Sequence, residues 1–152
     1  MLGPTGPAGL AVLDLYAGTG AFGIESLKRG AERAEFVEID SRRCSAIRRR
    51  LRELQFEERA GVHRGEAAKV VSTRLDGRFD VVFADPPYAE NPFEPVFSAL
   101  VGAGLLSEGA TLFAEHSVRT ELPGELAGLA MTRHREYGDT AISVYRVAPT
   151  TE

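Results

Sequence analysis

The sequence predicts a doubly wound α/β fold whose seven-stranded mixed sheet ends in an antiparallel hairpin. Three observations predict it. Short apolar runs alternate with amphipathic stretches, the pattern of βα units around a mostly parallel sheet. A glycine turn, Gly18-x-Gly20-x-x-Gly23, directly follows the first apolar run, where such sheets place a ligand-binding loop. Near the C-terminus two strand-like segments flank Gly138-Asp139, a hairpin signal.

Each element has its own signature. Leu10–Leu15, Ala34–Ile39, Gly61–His63, Phe79–Ala84 and Ala110–Glu115 read as strands, mostly apolar on both faces and therefore central. Between them Phe22–Arg29, Ser41–Gln55, Glu66–Leu75 and Phe93–Val101 read as helices. Ser41 is the expected N-cap of the second helix, whose buried stripe is Cys44, Ile47, Leu51 and Leu54. Ala130–Tyr137 and Thr140–Val147 form the hairpin. Leu2–Gly9, rich in Gly and Pro, is expected to be loose.

The 152 residues make one domain, residues 1–152, with no internal repeat. A net charge of −4 gives no global attraction to nucleic acid, so any such binding needs a local patch. Cys44 is the single cysteine, which excludes an internal disulfide and a cysteine-based zinc cage. His63, His116 and His134 assemble no metal site, so no metal is expected. Without a signal segment or a bilayer-length apolar run, the expected location is the cytoplasm, with no membrane partner.

The glycine turn fits either a dinucleotide or S-adenosylmethionine. Ala17–Gly23 lets the backbone approach a ligand, and the acids of Phe36-Val-Glu38-Ile39-Asp40, about twenty residues on, could accept ribose hydroxyls. Asp14, four residues before Gly18, decides between them. At about 4 Å a unit charge pair is worth roughly 4 kcal/mol at an effective dielectric near 20, with the sign set by the partner. That sign is unfavourable against pyrophosphate and favourable against the ammonium and sulfonium of S-adenosylmethionine. The competing reading is an Asp that only hydrogen-bonds loop amides.

The fourth strand runs into Asp85-Pro86-Pro87-Tyr88. Two prolines stop the strand and hold an extended turn whose polar offer is acceptors only. This suits a planar group with an exocyclic amine: Asp85 and the Pro86 carbonyl accept its two N–H bonds and Tyr88 stacks on the ring. Holding the nitrogen this way localises its lone pair and aims it at a methyl carbon. A turn with a capping Asp and a core Tyr is the plainer alternative.

Together, Asp14-Leu-Tyr16-Ala17-Gly18-Thr19-Gly20, Phe36-Val-Glu-Ile-Asp40 and Asp85-Pro-Pro-Tyr88 resemble the class I S-adenosylmethionine-dependent amino-methyltransferases, which have a Rossmann-like fold. More narrowly, the chain is similar to the RsmD-like enzymes that methylate a guanine N2 of small-subunit ribosomal RNA. Glu115-His116 and Tyr137–Tyr145 add to that similarity, which runs from about Leu10 to Val147. The resemblance implies that Asp14, Tyr16, Ala17, Gly18, Thr19 and Gly20 hold the methionine part of S-adenosylmethionine. It places Glu38 and Ile39 at the ribose side and Glu66 and Ala67 at the adenine, with Glu66 accepting from N6 where the family usually has Asp. It also implies a catalytic turn of Asp85, Pro86, Pro87 and Tyr88. The implied partner is ribosomal RNA or the assembling small subunit, and the protein is expected to be a monomer.

Family members usually carry a longer N-terminal segment with a small hairpin and a basic stretch; here eleven residues precede Val12. Six arginines, Arg42, Arg43, Arg48, Arg49, Arg50 and Arg52, lie on the second helix. A solvated face paired with Glu53, Glu57 and Glu58 is favoured for them over phosphate contact, since this helix usually flanks the sheet away from the ligand edge. The alternative activities are DNA adenine-N6 methylation and protein glutamine methylation, whose family usually has Asn at position 85. A catalytically idle cofactor- or RNA-binding domain is the reading from another class, and an NAD-dependent oxidoreductase is more distant.

Overall fold

A computed structural model of the chain describes residues 5–148. Its strands are β1 (Ala11–Leu15), β2 (Arg33–Glu38), β3 (Ala60–Arg64), β4 (Phe79–Ala84), β5 (Leu106–Ser117), β6 (Glu125–Leu126), β7 (Leu129–Tyr137) and β8 (Thr140–Arg146). Its helices are α1 (Ala21–Lys28), α2 (Ser41–Glu53), α3 (Ala67–Thr73) and α4 (Phe93–Gly102). The described strands form one sheet in the order β3-β2-β1-β4-β5-β8-β7-β6. The first five strands pair in parallel, while β8, β7 and β6 run antiparallel to their neighbours.

The doubly wound expectation therefore holds, with eight strands instead of seven. The additional β6 has two residues, too short to leave an alternating pattern in the sequence. β5 is also longer than expected, because Phe79 pairs with Leu106 ahead of a register shift and extends the ladder backward. The expected loose stretch is turned and anchored over its described part: the Gly9 amide donates to Gly30 O at 2.9 Å, and Pro7 is buried. Leu2–Pro4 lie outside the described residues.

The two faces of the sheet carry separate cores. On one, α3 and α4 pack Val70, Val71, Phe93, Phe97 and Leu100 against Leu13, Leu15, Val82 and Leu112. On the other, α1 and α2 pack Ile24, Leu27, Ile47 and Leu51 against Val12, Phe36 and Val81. The predicted stripe of α2 is buried at Cys44, Ile47 and Leu51 and partly buried at Leu54. Its N-cap is Asp40 instead of Ser41: Asp40 Oδ1 accepts from the amides of Arg42 (2.8 Å) and Arg43 (3.1 Å).

This arrangement dictates the glycine spacing. Gly20 is the α1 N-cap at φ 76°, a left-handed conformation that a side chain would strain. Gly23 serves packing: a Cβ there would lie 2.3 Å from Cε2 of the Phe36 ring, which is itself fully buried. Gly23→Ala should therefore destabilise the protein by about 1–3 kcal/mol, outweighing the gain of up to about 1 kcal/mol in helix propensity. In a Phe36→Leu background the same change should cost less. Gly102→Ala, on α4 with nothing within 4 Å of the new Cβ, should be neutral or stabilising. Urea unfolding of the four variants tests this; a Gly23→Ala protein as stable as wild type would contradict it.

Candidate active site

The winding reverses at β1, from which the chain builds outward first through β2 and β3 and then through β4 and β5. At the carboxyl ends of β1 and β4 the connections diverge to opposite sides and leave a cleft. Its volume is about 1020 Å³, ample for a nucleoside-sized ligand.

Four segments build it. After β1, Tyr16 takes φ 55°, rare for a bulky residue, and this bends the chain so that the Ala17 amide donates to Val37 O at 3.0 Å. The loop Ala17–Thr19 then runs along the cleft. Asp14, 2% exposed, accepts from the Gly23 amide through Oδ2 at 3.0 Å while also lining the cleft. The loop-amide role weighed in the sequence is thus present, in one oxygen of a carboxylate that still faces the ligand space.

After β2, Glu38 has a structural role that the sequence did not disclose. Oε1 accepts from the Gly18 amide and Oε2 from the Asp40 amide, each at 2.8 Å. One buried carboxylate thereby ties the glycine loop to the start of α2, and it lines the cleft as well. Beside it Ile39 is 67% exposed, an apolar surface presented to the cleft. After β3, Glu66 is the N-cap of α3 with no side-chain hydrogen bond to the helix, and its exposed carboxylate lines the cleft with Ala67.

After β4 come Asp85, Pro86 and Pro87, all on the cleft wall. Tyr88 is not on that wall: it is 46% exposed and hydrogen-bonds through its hydroxyl to Thr140 Oγ1 at the start of β8. Gly20 also lies off the wall, shaping the loop from behind.

One residue escaped the sequence reading as a member of the site. Ala84 pairs with Ala114 across β4 and β5, so Asp85 and Glu115 emerge side by side and their carboxyls hydrogen-bond. Two carboxyls can do so only by sharing a proton. Burial and the neighbouring Asp85 charge push Glu115 up to about 7, and burial raises Asp85 as well. Burial disfavours the charge on both, so the pair holds a proton between them more readily than two exposed carboxylates would. The Glu115-His116 pair was legible as a family feature, but not its partnership with Asp85.

The cleft is strongly acidic. Asp14, Glu38, Glu66, Asp85 and Glu90 line it, with Arg43 as the only cation among the described lining residues. Burial, with Asp85 and Glu38 nearby, raises Asp14 to about 7. Burial with Glu90 and Glu66 raises the Tyr16 hydroxyl to about 12. Such a wall disfavours pyrophosphate and favours a ligand with positive charge near Asp14.

The arginines of α2 do not make the ion pairs expected of them. Among the described residues none is paired with Glu53, Glu57 or Glu58; Arg48 instead donates to Val62 O at 3.2 Å. The histidines belong to structure. His63 bonds Glu35 (2.7 Å), and His116 and His134 both bond the buried Ser143 hydroxyl at 2.8 and 3.0 Å.

The family model described as "Conserved hypothetical protein 95" matches residues 1–146. Over 148 residues the chain is 33% identical to "Putative rRNA methyltransferase YlbH" of Bacillus subtilis, covering 96% of this chain and 80% of that one. It is 29% identical over 136 residues to Ribosomal RNA small subunit methyltransferase D of Escherichia coli K12, covering 88% and 67%. A solved structure of a conserved hypothetical protein of Streptococcus pyogenes has a TM-score of 0.85 at 34% identity, over 92% of this chain and 87% of that one. The resemblance read from the motifs agrees with these relatives.

Two outcomes follow from the geometry. Glu38→Ala leaves two amides without their acceptor, so the ligand-free protein should lose about 1–3 kcal/mol of stability and S-adenosylmethionine affinity should fall too; Glu38→Gln, which keeps one acceptor oxygen, should lose less. Unchanged denaturation and titration curves for the Ala variant would refute the clasp. The second outcome concerns pH. Near pH 6 the free protein mostly holds a proton on Asp14, and a cationic ligand favours the ionised form. Affinity should therefore rise by up to about 10-fold as pH increases from 6 to 8, through the raised value of about 7. Isothermal titration in buffers of different ionisation enthalpy would show proton release. A pH-independent affinity, or one that Asp14→Asn leaves with the same pH slope, would exclude Asp14.

Proposed function

The chain belongs to the Conserved hypothetical protein 95 family, and on that premise we propose that it is an S-adenosylmethionine-dependent methyltransferase acting on guanine N2 of small-subunit ribosomal RNA. The observation that carries this reading is the cleft itself: a carboxylate-lined cofactor space that opens onto an Asp-Pro-Pro-Tyr turn. The relatives' names support rRNA as the substrate class. The acceptor-only turn supports an exocyclic amine as the target.

The residues present fit the cofactor. Asp14, with the Ala17–Thr19 loop around it, would hold the charged amino-acid end, Glu38 and Ile39 would take the nucleoside side, and Glu66, which makes no side-chain cap bond, would accept from the adenine amine. When bound, S-adenosylmethionine supplies an electrophilic methyl group on a sulfonium sulfur. The protein's contribution is to hold the amine. The Asp85 carboxylate and the Pro86 carbonyl accept its two N–H bonds, which turns the nitrogen lone pair toward the methyl carbon. Transfer would break the methyl carbon–sulfur bond, its electron pair staying on sulfur in S-adenosylhomocysteine; the methylated nitrogen would then shed a proton, for which Asp85 is the acceptor in reach. Glu115, sharing a proton with Asp85, orients the Asp85 carboxyl toward the amine. The Tyr88 ring, held at its hydroxyl by Thr140, provides an aromatic face beside the turn.

Incubation with methyl-labelled S-adenosylmethionine and undermethylated small ribosomal subunits, naked rRNA, DNA or protein extract tests the substrate class. Label should enter rRNA as N2-methylguanine; label in DNA adenine or in a protein amide would replace the proposal. Asp85→Ala should lower turnover by about 10²-fold or more with little change in cofactor affinity. Asp85→Asn, which keeps an acceptor oxygen, should retain more activity. If Asp85→Ala instead lost melting temperature and cofactor affinity together, with turnover falling only in proportion to folded protein, the turn would be structural.

A further inference from the structure

β5, β8 and β7 form three rungs that run toward the Asp85 turn. Phe113 pairs with Val144, and Val144 with Arg133; Glu115 with Ile142, and Ile142 with Arg135; Ser117 with Thr140, and Thr140 with Tyr137. Residues directly opposite one another across a ladder share a face. The face is fixed by two observations. Phe113 and Val144 belong to the core on the α1/α2 side, whereas His116, one residue from Glu115, packs its ring against Phe93 of α4 on the other side. Arg133, Arg135 and Tyr137 therefore lie on the same sheet face as Glu115, the partner of Asp85.

No described helix covers the second and third rungs of this face. α1 and α2 pack mainly over β1, β2 and β3, and α1 reaches no farther than β4, where Phe22 stacks on Phe83 at 4.7 Å between ring centroids. It closes over the first rung at Phe113 and Val144 and leaves the next two open. Arg133 and Arg135 are exposed, Tyr137 is 57% exposed, and beyond the third rung Arg119 is exposed with its amide bonded to Ser117 Oγ. Among the described residues neither Arg133 nor Arg135 is ion-paired. On this face β7 and β8 present Arg133, Arg135 and Arg146 and no carboxylate; Glu136 points to the opposite face, where it bonds His134. In a chain of net charge −4 with an acidic cleft, this is a local reversal of sign next to the target turn.

We propose that the open β5–β8–β7 face, through Arg133, Arg135 and Tyr137, binds the single-stranded RNA that flanks the target nucleotide. The proposal rests on the rRNA reading above and adds where the RNA lies. Arg133 and Arg135 are about 6.8 Å apart along β7, so two guanidinium groups can meet neighbouring phosphates of one strand. Arg135 stands two strand spacings, about 10 Å, from Glu115, so the strand it holds is within a few nucleotides of Asp85. Tyr137 shares its rung with Thr140, which also holds the Tyr88 hydroxyl. The two exposed tyrosines thus offer one aromatic surface for a splayed-out base and its neighbour. The arginines of α2 make a different surface: the groove of about 280 Å³ beside Arg43, Arg49 and Arg50 borders the cofactor loop at Gly18 and Thr19 and contains Glu53.

Fluorescence anisotropy with a labelled single-stranded RNA containing guanine, over a range of salt concentrations, tests the assignment. Arg133→Ala/Arg135→Ala should weaken binding at least 10-fold near 0.1 M salt. It should also flatten the plot of log affinity against log salt by about 1.4, the contribution of two phosphates at about 0.7 each for single strands. Tyr137→Ala should weaken binding with the salt slope unchanged. All three surface substitutions should leave S-adenosylhomocysteine affinity and melting temperature at wild-type values, and Arg49→Ala/Arg50→Ala should bind RNA as wild type does. A hairpin double variant with wild-type affinity and slope, or an α2 variant that loses as much, overturns this placement while methylation of rRNA still stands. A wild-type protein that neither binds nor methylates RNA overturns both.

Discussion

The Glu38 carboxylate is the constraint around which the site is organised. A doubly wound sheet gains its ligand cleft by letting two chain connections part at the reversal of strand order, and a parting is mechanically weak unless something closes it. Here the two oxygens of one buried side chain take the Gly18 and Asp40 amides at 2.8 Å each. One bond holds the loop after β1, and the other sets the residue that caps α2. Asp40 can present its own oxygen to Arg42 and Arg43 because its backbone has been fixed this way. A ligand hydroxyl reaching Glu38 meets an acceptor already aimed by the protein, which lowers the ordering needed on binding.

Acidity organises the chemistry in a similar way. Burial, with neighbouring carboxylates adding to it, raises Asp14 and Glu115, which mark the two ends of that strain, near the glycine loop and near the Asp85 turn. At the first end an incoming positive charge relieves it. At the second a proton shared between Asp85 and Glu115 relieves it. The same grouping of acids therefore selects a cation at one end and sets up a hydrogen-bond acceptor at the other.

Much of this was legible in the sequence because it is local. Phe79–Ala84 was read without error at either end, since an apolar run followed by two prolines leaves one interpretation. The glycine spacing, Asp14 and the acceptor turn likewise declare themselves within a few residues. What escaped depends on partners distant in the chain. Glu115 meets Asp85 only through the β4–β5 register, and Tyr88 turns from the cleft because Thr140, fifty-two residues later, takes its hydroxyl. Ser41 and Asp40 are both good capping residues by type; the exit angle from β2, set by Glu38, chose between them. The arginines of α2 could be counted in the sequence, but whether nearby glutamates reach them could not.

The Tyr88–Thr140 bond divides labour along the chain. Everything that surrounds the cofactor cleft up to the Asp85 turn comes from the first two-thirds of the sequence, and the structure leaning on that turn from the other side is the terminal hairpin. Among the described residues the hairpin contributes none to the cleft wall, and it touches the Asp85–Tyr88 turn through the Tyr88–Thr140 hydroxyl pair. A fold built like this keeps its two halves separable: the last strands can be rewritten without touching the wall of the cleft.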